Sequence, residues 1–102
     1  MGAINFCNTE SGKTASEAYN KLCEEAVYYY GHDPYNGTIS TCDMGRCTLS
    51  FKEYESGNED KAYHHILKEM DYGEKRTANY VDLGYDSKRK TNHYIFYGWA
   101  AC

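Results

Sequence analysis

Thr14-Ala15-Ser16-Glu17-Ala18-Tyr19-Asn20-Lys21-Leu22-Cys23-Glu24-Glu25-Ala26-Val27-Tyr28-Tyr29-Tyr30-Gly31 is the stretch on which the fold turns. Thr14 and Glu17 have the spacing of a capping box, in which hydroxyl and carboxylate satisfy free backbone donors at a helix start. Ala15, Ala18, Tyr19, Leu22, Cys23, Ala26, Val27 and Tyr30 recur at three- and four-residue steps and form one apolar stripe, with Asn20, Lys21, Glu24 and Glu25 away from it. Gly31 follows, placed to close the helix in a left-handed turn. The spacing therefore predicts one amphipathic helix, and whatever flanks it must cover the stripe.

On the N-terminal side, residues 2–7 alternate as a first strand would, before the polar run Asn8 to Lys13. On the C-terminal side, after the turn-rich His32-Asp33-Pro34-Tyr35-Asn36-Gly37, two β-rich runs follow, Thr38 to Cys42 and Cys47 to Phe51. Asp43-Met44-Gly45-Arg46 between them reads as a hairpin reversal. Ser56-Gly57-Asn58 breaks the second run, and Asn58 is placed to cap a second helix. Ala62, Tyr63, Ile66, Leu67 and Met70 form that helix's apolar face, and Tyr72-Gly73 closes it. Asn79 to Leu83 and His93 to Trp99 are the last strands, joined by the polar, basic stretch Gly84 to Asn92. The order β-α-β-β-α-β-β predicts an α+β fold, a mostly antiparallel sheet with two helices on one face, in a single domain over residues 1–102.

Composition narrows the function. No apolar run approaches the length of a membrane span, and the start carries no signal-peptide pattern, so a cytoplasmic location is expected. The net charge of −4, from 15 acids against 11 bases, argues against a grip on duplex nucleic acid and suits a basic partner surface. Twelve tyrosines in 102 residues are the anomaly. They serve either as core and rim filling or as contact and stacking faces. Cys7, Cys23, Cys42, Cys47 and Cys102 are odd in number, lack metal-ligand spacing and read as reduced packing residues. No cofactor motif is present. Cys42 with His32 and Asp33 supplies the residue types of a cysteine-dependent enzyme without a surrounding signature, so the chain reads as a non-enzyme.

Three stretches are candidate ligand sites. Tyr35, Asn36, Gly37 and Thr38 put an aromatic ring, an amide and a glycine in the link after the first helix. Tyr97, Gly98 and Trp99 put a glycine between aromatics in the last strand, where a flat ligand or another part of the chain approaches closely. Lys88 and Arg89 head a basic loop able to hold a phosphate, or simply a solvated turn.

The blocks Gly12-Lys13-Thr14-Ala15-Ser16-Glu17-Ala18, Tyr35-Asn36-Gly37-Thr38-Ile39 and Phe96-Tyr97-Gly98-Trp99-Ala100 resemble those of a group of small accessory proteins encoded by bacterial viruses and prophages. The chain departs from that group at Tyr72-Gly73-Glu74-Lys75-Arg76, where a Trp-Gly segment is expected, so nothing is carried over there. The resemblance implies an anti-defence binding protein acting in an infected bacterial cell. One form is a sponge that sequesters a nucleotide-type immune signal, stacking its base on tyrosines and Trp99 and holding its phosphates near Asn36, Gly37, Lys88 and Arg89. The alternative is an anti-CRISPR-type inhibitor that covers a host nuclease with acidic, tyrosine-rich surface. A sheet that ends on an aromatic strand further predicts a homo-oligomer.

Overall fold

The computed structural model describes residues 3–31, 37–70 and 76–101. The elements are β1 (Ala3–Gly12), α1 (Ala15–Tyr30), a 3₁₀ turn (Ile39–Thr41), β2 (Asp43–Ser50), α2 (Asn58–Glu69), β3 (Thr77–Asp86) and β4 (Thr91–Ala101). The strands form one sheet in the order β1-β4-β3-β2. β4 is antiparallel to both β1 and β3, and only β2 runs parallel to its neighbour β3. The fold is thus α+β with a mostly antiparallel sheet.

α1 begins as its sequence dictates. The Thr14 hydroxyl accepts a hydrogen bond from the Glu17 amide at 3.1 Å, while the Glu17 carboxylate accepts from the Lys13 amide at 3.1 Å. Gly31 ends the helix at φ 82°, its N–H donating to the Val27 carbonyl at 2.8 Å. Ala18, Leu22 and Ala26 are the buried stripe, whereas Tyr30, assigned to that stripe from its spacing, is exposed.

The helices do not share one face of the sheet. α1 packs its stripe against Ala78, Tyr94, Phe96 and Ala100, and α2 packs Ala62 and Ile66 against Val81, Leu83, Ile95 and Tyr97. Side chains alternate across a strand, so these sets lie on opposite faces. The result is three layers with the sheet in the middle. β4 shows why: Tyr94, Ile95, Phe96 and Tyr97 are all buried, as a strand covered on both sides requires.

Other boundaries also differ from the sequence reading. β1 continues through Asn8 to Gly12 because those residues pair with β4 as far as Asn92. The run Thr38 to Cys42 is a 3₁₀ turn, not a strand, and Asp43 to Arg46 belongs to β2, so no hairpin forms there. Gly57, not Asn58, occupies the cap position of α2. Asn58 is buried instead, its amide donating to the Glu53 carbonyl at 2.8 Å and to the Leu83 carbonyl at 3.0 Å. On α2, Ala62 and Ile66 are buried as read, but Leu67 and Tyr63 face solvent. The Tyr72-Gly73 stop lies outside the described residues. Finally, the aromatic strand β4 is an inner strand; the sheet edges are β1 and β2.

Candidate functional site

The three stretches marked in the sequence do not form one site. Tyr97 and Trp99 share a strand parity and point to the α2 face. Tyr97 is buried with its hydroxyl 2.6 Å from the Thr48 Oγ1, and the Trp99 indole N–H donates to the Met70 carbonyl at 3.0 Å. At Gly98 the Thr77 carbonyl occupies the space a Cβ would need, and the Phe6 ring lies in contact beside it. The close approach that this glycine permits is made by the chain itself.

Thr38 lies on the α1 side, its hydroxyl 2.8 Å from that of Ser40 and its carbonyl accepting from the Thr41 hydroxyl at 2.8 Å. Gly37 precedes it at φ 76°, and Tyr35 and Asn36 lie outside the described residues. Lys88 and Arg89 are exposed in the β3–β4 turn, their amides held by the Asp86 carboxylate. The length of β4 from Thr91 to Trp99, at about 3.3 Å per residue, separates that turn from Trp99 by roughly 26 Å.

What the structure does bring together is the end of α1, Thr38 and the outer half of β1. β1 ends at the β3–β4 turn, where Gly12 pairs with Asn92. α1 then runs back along β1 and delivers its last turn to the opposite end of the sheet. There a cavity of about 440 Å³ opens over buried Leu22, Ala26 and Ile39. Asn8 and Thr38 line it, with Glu25, Tyr29 and Tyr30 at its exposed rim. On the other flank of the helix a groove of about 510 Å³ lies among Cys23, Glu24, Val27, Tyr28 and Ser40.

The tyrosines between these grooves are strongly exposed: 82% for Tyr28, 69% for Tyr29 and 65% for Tyr30. Tyr28 and Tyr29 meet edge to face at 5.1 Å and 88°. Among the described lining residues the only charges are the carboxylates of Glu24 and Glu25. The surface is aromatic and acidic, suited to a cationic partner and unsuited to a phosphate. Its sequence signal was present in Ala26-Val27-Tyr28-Tyr29-Tyr30. Successive helix residues are rotated by about 100°, so three consecutive tyrosines fan across the helix and cannot all face the core.

Two polar clusters lie elsewhere. On the α2 face Thr48 Oγ1 is 2.9 Å from His65 Nε2, which is itself 3.6 Å from a Glu69 carboxylate oxygen. At the β3–β4 end His93 Nε2 pairs with Asp86 at 3.1 Å, beneath the Tyr54 ring at 4.3 Å between centroids. The hydrogen bond from His93 holds the Asp86 carboxyl below its ordinary range. Both clusters fasten elements together: α2 to β2 and β4, and the Tyr54 loop to the sheet.

The cysteines divide by burial. Cys42 is in the core with its thiol 3.6 Å from the Trp99 carbonyl, and burial pushes that thiol upward, opposite to the shift that a nucleophile needs. Cys7 and Cys47 are exposed rather than packed inside. His32 and Asp33 lie outside the described residues. Among the described residues no group of three His, Cys, Asp or Glu side chains is placed to hold a metal ion, and no helix is long and apolar enough to cross a membrane. Compared with known proteins, the chain matches no family model, no curated protein and no solved structure.

Proposed function

We propose that the chain is a non-catalytic binding protein that lays the acidic, tyrosine-bearing end of α1 over a basic surface of a host defence protein. Of the two roles that the resemblance to phage accessory proteins implies, this is the alternative, the anti-CRISPR-type inhibitor. The observation that carries the reading is the exposure of Tyr28, Tyr29 and Tyr30 in one helical turn, adjoining Glu24 and Glu25. Tyrosine is among the residues that dominate binding energy at protein interfaces. Carboxylates beside it steer the encounter with a positive channel and disfavour acidic competitors. A nuclease channel lined to hold nucleic acid has that complementary charge.

A nucleotide-sequestering role has one observation in its favour, a cavity of about 440 Å³ with two tyrosines and an amide on its lining, which is within the usual range for small ligands. Against it stand Glu25 at the rim and the distance to Lys88 and Arg89.

The test is phage plating on a host carrying an active CRISPR nuclease, with wild type and the triple variant Tyr28→Ser, Tyr29→Ser, Tyr30→Ser. Because the side chains are exposed, stability should change by no more than about 0.5 kcal/mol per site. Removing two or three anchors worth about 2 kcal/mol each should lower affinity by more than about a hundredfold and abolish protection. A folded triple variant that protects fully would overturn the proposal. So would a rise of several degrees in the wild-type Tm on adding cyclic dinucleotides.

A further inference from the structure

We propose that the outer edge of β1 is a self-association surface, across which two copies of this chain join their sheets into one. The register of the hydrogen bonds places its free groups. In an antiparallel strand the N–H and C=O of one residue point to the same side, and successive residues alternate. The Ser11 N–H donates to the Glu10 carboxylate at 3.0 Å and the Ser11 carbonyl accepts from Lys21 Nζ at 3.0 Å, so the backbone of Ser11 faces away from β4. The far side of the sheet gives the same parity. The Trp99 carbonyl accepts from the Arg76 N–H, toward β3, so odd residues of β4 turn to β3 and even ones to β1. Gly98 pairs with Phe6, so the even residues of β1 bond to β4. The backbone groups of Ala3, Asn5, Cys7 and Thr9 therefore point outward, while those of Ser11 are already met by side chains.

The two edges of the sheet differ in how they are protected. β2 is interrupted by two register shifts against β3, a device that blunts an edge. β1 pairs with β4 without any shift from Ala3 to Gly12. Its free segment, Ala3-Ile4-Asn5-Phe6-Cys7-Asn8-Thr9, contains no proline and no charge in a chain of net charge −4. A basic or acidic partner gains nothing from such an edge, whereas two copies of an acidic protein meet there without repulsion.

The occupant is a second copy because the edge is complementary to itself. A two-fold axis at Phe6 pairs Ala3 with Thr9 and Asn5 with Cys7 of the second copy, which uses every outward group, and each such pair exchanges two hydrogen bonds. An axis at Asn5 or Cys7 would leave one end unpaired. The Phe6 register also sets exposed Ile4 of the second copy opposite Asn8, a lining residue of the α1 cavity. This interface is separate from the homo-oligomer expectation based on an aromatic edge, because β4 is an inner strand.

Analytical ultracentrifugation at micromolar and hundred-micromolar concentrations tests it. Wild type should sediment at twice the 11.7 kDa chain mass at the higher concentration. Asn5→Pro removes an outward N–H without touching the β1–β4 ladder, since proline is tolerated where the N–H faces solvent. It should retain its circular dichroism and weaken dimerisation at least about tenfold. Cys7→Lys, which places a charge on the exposed edge, should do the same and decides the matter if Asn5→Pro fails to fold. The Tyr28, Tyr29, Tyr30 triple variant should dimerise normally, which separates this interface from the docking face of α1. A monomer at every concentration would overturn the proposal, as would dimerisation of the folded edge variants at wild-type strength or its loss in the tyrosine variant.

Discussion

Replacing Gly98 with valine should cost on the order of 4 kcal/mol, combining overpacking with backbone strain. Gly98 sits in β4 between Phe6 of β1 and Ala78 of β3, at φ 157°. A Cβ there would run into the Thr77 carbonyl, and the two further carbons of valine would crowd the Phe6 ring that already lies in contact at 3.4 Å. The ring can move; the carbonyl is held by the sheet. Relief requires β3 and β4 to part at the first pair of their ladder, Ala78 with Gly98, beside Ala78 and Ala100 on which α1 packs. Urea denaturation should show a lower midpoint with an unchanged slope, the sign of lost stability in an otherwise similar native state. A Gly98→Val protein as stable as wild type would mean that β4 does not lie between Phe6 and Thr77.

Phe96→Ala should be comparably damaging, at about 3–5 kcal/mol. Phe96 is fully buried on the α1 side, with ring centroids of Tyr80 at 5.2 Å, Tyr19 at 6.0 Å and Tyr94 at 6.3 Å. Removing it leaves a cavity whose walls are rings tethered elsewhere. Tyr19, for example, is tied by its hydroxyl to the Cys42 carbonyl. Burial also pushes the Tyr94 hydroxyl up to about 12. The predicted loss is read by the same denaturation experiment, and a loss below about 1 kcal/mol would contradict this packing.

Local signals carried much of the fold. The Thr14–Glu17 cap and Gly31 bounded α1 because each acts through its own backbone neighbours. The aromatic run from His93 to Trp99 located β4. Features that depended on remote partners were misread. Thr38 to Cys42 has strand-forming residues, but Ile39 is buried beneath α1 and the Thr38, Ser40 and Thr41 oxygens bond to one another, local bonds that compete with a ladder. Asn58 looked like a cap because its side chain suits one, yet the structure uses its amide to join two carbonyls from separate segments. The continuous burial along Tyr94 to Tyr97 was a legible sign that helices cover both faces of the sheet.

The same distinction governs the site. Tyr97, Gly98 and Trp99 looked like one surface because they are consecutive, but strand alternation sends the glycine to one layer and both aromatics to the other. Tyr28, Tyr29 and Tyr30 were read partly as core because Tyr30 falls on the apolar period. Their shared exposure follows from the fan of three successive helix residues, with Leu22 and Ala26 taking the buried side.

Hydrogen–deuterium exchange of the chain, alone and with a purified CRISPR effector nuclease or a cyclic dinucleotide, is the most direct measurement of how the protein binds. Docking by α1 requires the nuclease to slow exchange at the amides of Val27 to Gly31, the turn that carries the exposed tyrosines, with no nucleotide-dependent change. Unchanged exchange at α1 with the nuclease, together with slowing at Gly37 and Thr38 or at Lys88 and Arg89 with the dinucleotide, would contradict the docking role.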